Sequence, residues 1–463
     1  MVKSAPQKTN IIQHDYLIEN REWKCQEKSN YKIYQSGSHS KGNFIQLYVP
    51  NNPYRDEKGK TKAVMYLHGF ALCMPKFYEQ HLEELVQKGY YVFFPGFQKS
   101  DYPDDPETDG NKPEDNEKDL IDWSALKEFI KNTFKNISKG RVISFLRRIT
   151  VAAVRLRFFL AIFVIIGLIY AIYSFIDHKY GKNLIKLIRT VRYSLFDSPS
   201  QWINGAMISS ELAWKMLCSN NRELEIEEPD FYLFGHSLGG LLALSWVSYL
   251  PKDKSEVQSK FYPKQIIVAD PAPNTSLGIP KTAMLVLKAF NSPFTAGEID
   301  IKTTGLNIDV PVAILHGDND KLVPAKVWSK PSFITKKSNF DYIASPNKQI
   351  YFSLSDKIDC LFAFHNQAVT DTTYFEDSLF KKFGGVKHQP NAYNYEYVWS
   401  GLNLAIEKEV KASELLDKFP LKTIKVVDKL PDKAMNVKLI MITLLSLIAL
   451  YGLGYFIWKQ AII

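Results

Sequence analysis

The chain has 463 residues, of which 58 are Lys or Arg and 49 are Asp or Glu, a formal net charge of +9 at pH 7, and 46% of its residues are apolar. Such a length allows two or three domains or one large α/β domain with insertions, and such an apolar fraction excludes intrinsic disorder, collagen-like sequence and a small disulfide scaffold. The four cysteines, Cys25, Cys73, Cys218 and Cys360, are scattered and match no zinc-ligand spacing, so they read as free thiols of a reducing compartment.

Residues 1–40 are polar and read as an N-terminal extension without a signal-peptide core. Gly42 to Pro50 then alternates like a strand and is followed by a turn-rich loop. Ala63 to Leu67 is a short, fully apolar strand that runs directly into His68-Gly69-Phe70. Helical spacing covers Phe77 to Lys88, Gly89 ends it, and Tyr91 to Phe94 is the next strand. This β-loop-α-β order predicts a mostly parallel central sheet flanked by helices.

Residues 100–198 interrupt the pattern. Between Arg141 and Arg192 there are ten basic residues and one acid, Asp177, which accounts for the whole positive surplus of the chain. Basic pI is therefore a local property, and with no zinc finger or RNA-binding signature a nucleic-acid partner is not expected. Inside the basic window, Phe158 to Ile176 is uncharged and would be about 29 Å long as a helix. Its basic flanks suit anionic lipid headgroups, and the segment is expected to enter one leaflet or to pack as a helical cap. A hairpin through the bilayer is disfavoured, because the neighbouring stretch carries five arginines at about 2.5 to 3.5 kcal/mol each near the bilayer centre.

Beyond the insertion, Ser200 to Leu217 reads as an amphipathic helix, and strands are expected at Phe231 to Phe234, Gln265 to Val268, Val312 to Leu315 and Gln349 to Leu354. Residues 410–437 read as a linker. A second uncharged run, Leu439 to Trp458, is bracketed by Lys438 and Lys459 and reads as a transmembrane helix at 438–459. Lysines on its N-terminal side and the missing signal peptide lead one to expect residues 41–99 and 199–409 on the cytoplasmic side.

Chemistry concentrates in three places. Gly235-His236-Ser237-Leu238-Gly239 lies between a strand and a helix, the setting of a nucleophile elbow: glycines permit the strained turn that lifts the serine hydroxyl, and the Leu238 amide points at the reacting oxygen. His68-Gly69-Phe70 at an earlier strand end offers a second amide, that of Phe70, for an oxyanion hole. Val312 to Leu315 is followed by Gly317-x-x-Asp320-x-x-Val323-Pro324.

These segments, in this order, resemble the α/β-hydrolase family over roughly Lys41 to Glu409, apart from the insertion. The resemblance implies an α/β-hydrolase fold and a Ser-His-Asp triad that needs no cofactor and no metal. The family's acid follows the seventh strand, a position that falls on Asp320; Asp270 is the alternative, since some lipase-like members take the acid after the sixth. Asp318, the near neighbour, is a further candidate, though it reads rather as a loop-capping carboxylate. Family order puts the base after the acid, which leaves His365 and His388. His365 sits in Ala363-x-His365-Asn366-x-Ala368, similar to a stretch of bacterial members, while His388 lies in a glycine-containing loop. The expected activity is hydrolysis of an acyl ester, lipid-like if the insertion meets the membrane. Acyl transfer or thioester hydrolysis would use the same residues, and a catalytically silent interaction module at the membrane is the alternative outside enzymology.

Overall fold

The computed structural model describes residues 21–105, 186–221, 224, 228–250, 261–279, 284–285, 287–288, 291–375, 384–385 and 389–431. Their strands are β1 (Lys24–Glu27), β2 (Tyr31–Ser36), β3 (Phe44–Pro50), β4 (Lys62–Leu67), β5 (Tyr91–Gly96), β6 (Asp230–His236), β7 (Gln265–Ala269), β8 (Val312–Gly317), β9 (Lys348–Leu354) and β10 (Lys425–Val427). All lie in one sheet, in the order β1-β2-β3-β5-β4-β6-β7-β8-β9-β10.

From β5 through β9 neighbouring strands are parallel. Every residue of β4, β5, β6, β7 and β8 is buried. Such unbroken burial is what a parallel strand covered on both faces requires, and explains why their sequences read as continuous apolar runs rather than as alternating ones. The remaining pairs, β1 with β2, β2 with β3, β3 with β5 and β9 with β10, are antiparallel and form the two margins.

Among the described residues the helices that pack against the sheet include α1 (Glu79–Gln87), α2 (Pro199–Asn220), α3 (Leu238–Tyr249) and α4 (Trp399–Glu407). Residues 238–246 of α3 are all buried, so it is apolar around its whole circumference, as a helix packed within the body must be. The predicted helix Phe77–Lys88 divides into a 3-10 turn, Pro75–Tyr78, and α1. Pro75 opens the turn, where its missing N–H goes unneeded.

Two expectations about the margins need correction. Residues 1–40, read as an extension, supply β1 and β2, and the 410–437 linker supplies β10, so the compact unit runs to Asp428. Residues 429–463 make up a second unit, described only at 429–431. Of the insertion, residues 100–105 and 186–198 are described, and 186–195 are helical. Arg189 pairs with Asp101 at 3.1 Å, and Lys186 donates to the Tyr374 hydroxyl at 3.0 Å, so this end of the insertion is fastened to the body. Among the described residues no helix is long and apolar enough to cross a membrane; 158–176 and 439–458 lie outside them.

Candidate active site

Parallel strands deliver their C-terminal ends, and the loops that follow, to one edge of the sheet. There β4 leads to Gly69 and Phe70, β6 to Ser237, β7 to Asp270, β8 to Asp320, and β9 through a loop to His365.

Ser237 stands between β6 and α3 with φ 54° and ψ −115°, a left-handed conformation that costs a non-glycine residue about 1 to 3 kcal/mol. The surroundings enforce it. An ideal Cβ on Gly239 would lie 2.1 Å from the Leu67 carbonyl oxygen, and one on Gly235 would lie 2.3 Å from the Gly239 carbonyl oxygen. Ser237 N–H also donates to the Ala269 carbonyl at 2.9 Å, tying the elbow to β7.

The Ser237 hydroxyl is 2.7 Å from His365 Nε2, and His365 Nδ1 is 2.6 Å from Asp320 Oδ2. All three residues are buried. The other carboxylate oxygen of Asp320 accepts the N–H groups of Leu322 and Val323, both at 2.8 Å. Burial raises the Asp320 carboxyl, but the His365 and His316 imidazoles and the Val323 amide outweigh it and hold the group below the ordinary aspartate range. Asp318 accepts from Ser355 N–H at 3.0 Å and from its hydroxyl at 2.6 Å, while Ser355 Oγ accepts from Ala363 N–H at 2.9 Å. That bracing fixes the loop two residues before His365.

Asp270 is elsewhere engaged. Its Oδ1 accepts the Gly317 N–H at 2.8 Å and lies 3.4 Å from His316 Nδ1, and no hydrogen bond joins it to His365. Full burial and the Asp320 charge push its carboxyl well above the ordinary range, against the pull of the Gly317 amide. His388 lies outside the described residues.

The two amides expected to receive an oxyanion differ in how they are freed. Leu238 opens α3, so its N–H has no carbonyl one turn earlier. Around Phe70, the Gly69 N–H is taken by Tyr78 Oη and the Ala71 N–H by Gln98 Oε1, each at 2.8 Å. Among the described residues no acceptor meets the Phe70 N–H.

Two groups of ligand-type atoms occur among the described residues, Asp270-His316-Asp320 and Asp56-Asp230-Glu409. The first is bound up with His365 and Gly317; the second surrounds Lys62 Nζ, which lies 2.8 Å from Asp56 and 2.9 Å from Asp230 and supplies the positive charge itself. Sequence reasoning did not single out Tyr78 or give a role to His236, whose rings meet beside the elbow. Tyr78 reads as an ordinary apolar helix position, and nothing local marks it.

No family model matches the chain, and no curated protein matches it. Solved structures resemble it at low identity and low TM-score. Esterase B from Lactobacillus rhamnosis is 13% identical, with 72% of this chain and 74% of that chain covered and a TM-score of 0.34. An esterase from Pyrococcus furiosus is 12% identical over 75% and 87% of the two chains, with a TM-score of 0.31. Acetyl xylan esterase 1 from Thermoanaerobacterium sp. is 14% identical over 72% and 80%, with a TM-score of 0.32.

Proposed function

We propose that this chain is a serine hydrolase of the α/β-hydrolase type that cleaves an acyl ester through an acyl-enzyme. One observation carries the reading: an unbroken line of hydrogen bonds from the Ser237 hydroxyl through His365 to Asp320, begun on a strained elbow at the mouth of a helix. Serine alone is a poor nucleophile, and a base within 2.7 Å that is itself oriented by a carboxylate is the arrangement that activates it.

In this mechanism Ser237 Oγ attacks the acyl carbonyl carbon while its proton passes to His365 Nε2. Asp320 accepts from Nδ1–H throughout, fixing the tautomer and stabilising the imidazolium. Negative charge developing on the carbonyl oxygen is met by the Phe70 and Leu238 N–H groups. Collapse of the intermediate breaks the C–O bond, and the leaving alcohol takes the proton from Nε2. A water, deprotonated by the same nitrogen, then releases the acid and restores Ser237.

The reading extends to a membrane-anchored enzyme with its catalytic domain toward the cytoplasm and a lipid-like substrate. Its support is in the sequence: the uncharged runs 158–176 and 439–458 and the basic flanks of the first. An acyl chain leaving a bilayer would then reach Ser237 without crossing water.

The test is hydrolysis of esters of graded acyl length by the purified full chain in detergent, with mass spectrometry of a stalled reaction. Acyl mass on the peptide carrying Ser237 is the expected result. Turnover with the acyl group on another residue, or none with any ester, contradicts it.

A further inference from the structure

We propose that Tyr78 and His236 are positioning residues, which hold the oxyanion loop, the elbow and the loop carrying His365 in mutual register through one buried hydrogen-bond chain. This rests on the reading of Ser237 as nucleophile.

Tyr78 Oη lies 2.8 Å from Gly69 N and 3.0 Å from His236 Nδ1. His236 Nε2 in turn lies 3.1 Å from the His365 carbonyl oxygen. Both side chains are fully buried. Three of the four members stand one backbone step, or none, from a group that the mechanism uses: Gly69 precedes Phe70, His236 precedes Ser237, and His365 is the base itself; Tyr78 links the first to the second.

Elimination fixes every hydrogen. The Gly69 N–H can only donate, so Tyr78 Oη accepts from it. The His365 carbonyl can only accept, so His236 donates from Nε2. Burial, with the His365 charge adding to it, pushes the His236 imidazole down to about 3, so the ring is neutral and Nδ1 carries a lone pair. The Tyr78 hydroxyl donates to that lone pair. The chain therefore runs one way, from Gly69 N–H through Tyr78 and His236 to the His365 carbonyl, with no alternative arrangement of protons.

The Gly69 backbone is also pressed against these two side chains. A Cβ on Gly69 would lie 2.8 Å from His236 Nδ1 and 3.2 Å from Tyr78 Oη, so only glycine lets the oxyanion loop approach the ring this closely. The two longer bonds join residues 158 and 129 positions apart. Loops that distant in sequence have no local means of holding their spacing, and a misplacement of about 1 Å at a reacting centre costs on the order of 100-fold in rate.

The test is the inactivation of the detergent-solubilised full chain by a fluorophosphonate, resolved into saturation constant and limiting rate, well below the thermal midpoint. Tyr78→Phe keeps the ring and removes only the hydroxyl. It is expected to lower the limiting rate roughly 10- to 100-fold with the saturation constant nearly unchanged. His236→Phe is the second variant, and serves if Tyr78→Phe does not fold. With one shared chain, the double variant should be no slower than the slower single. Residues that merely satisfy each other in the core would lower the thermal midpoint and leave the limiting rate alone. Wild type that labels at Ser237 beside a Tyr78→Phe variant with the wild-type limiting rate overturns the positioning role only. Wild type that fails to label overturns the hydrolase reading, and this proposal with it.

Discussion

Asp320 grips His365 with one carboxylate oxygen, at 2.6 Å from Nδ1, while its other oxygen is held by the Leu322 and Val323 amides at 2.8 Å. The carboxylate is thus fixed by backbone before it fixes the imidazole. Asp320→Asn would keep the shape and offer Nδ1 the wrong partner, and the expected loss in kcat is roughly a thousand- to ten-thousand-fold. Asp270→Asn, which touches Gly317 and not His365, should lose less than about tenfold. Steady-state ester hydrolysis by both variants checks the assignment; equal losses would contradict it.

Gly239→Ala is expected to fail structurally. Its Cβ would meet the Leu67 carbonyl oxygen at 2.1 Å and the His68 carbonyl oxygen at 2.4 Å, and both are backbone atoms at the end of β4 that cannot turn aside. Displacing α3 from β4 to relieve this should cost about 3 kcal/mol or more. Urea unfolding monitored by tryptophan fluorescence would read it. A midpoint equal to wild type contradicts the close approach.

Asp270 gives a pH dependence with a defined sign. Its carboxyl is raised in the folded state by burial and by the Asp320 charge, so folding favours the protonated form. Its contribution is fully present below the unfolded value and is lost as pH rises toward the folded one. Asp270→Asn keeps an acceptor for the Gly317 N–H and removes the titration. Calorimetry should find the variant and wild type alike below the ordinary aspartate range, with the variant gaining Tm over wild type as pH rises to neutrality. A difference that does not change with pH contradicts this.

Lys62 supplies a contrast between stability and chemistry. It is 1% exposed and lies between Asp56 and Asp230 at the start of β4, the opposite end of that strand from the elbow. Lys62→Met would leave the 8%-exposed Asp230 without its buried counter-ion, for a loss of about 3 kcal/mol. Limiting rates of serine labelling should be unchanged well below the new midpoint. A slowed reaction without lost stability would place Lys62 in the chemistry.

Legibility in the sequence followed locality. The central strands were visible because burial on both faces leaves continuous apolar runs such as Ala63 to Leu67, and their boundaries shifted by only a residue or two. The elbow was visible because glycine is demanded at both flanks of Ser237. Strand β1, Lys24–Glu27, was not, since all four of its residues are exposed at a sheet margin and carry no apolar pattern. Strand β10 is three residues long and borrows its pairing from β9. Tyr78 and His236 were hidden for another reason: their meaning lies in a contact across 158 residues, and neither residue departs from what its own neighbourhood would accept.

The most direct measurement is labelling of the folded, detergent-solubilised chain by a fluorophosphonate, with Ser237→Ala and His365→Ala alongside wild type. Labelled wild type, with no label on Ser237→Ala and a rate on His365→Ala lower by about a thousandfold or more, is the expected result. Folded wild type that stays unlabelled, or Ser237→Ala that labels as wild type does, would contradict an activated serine at the elbow.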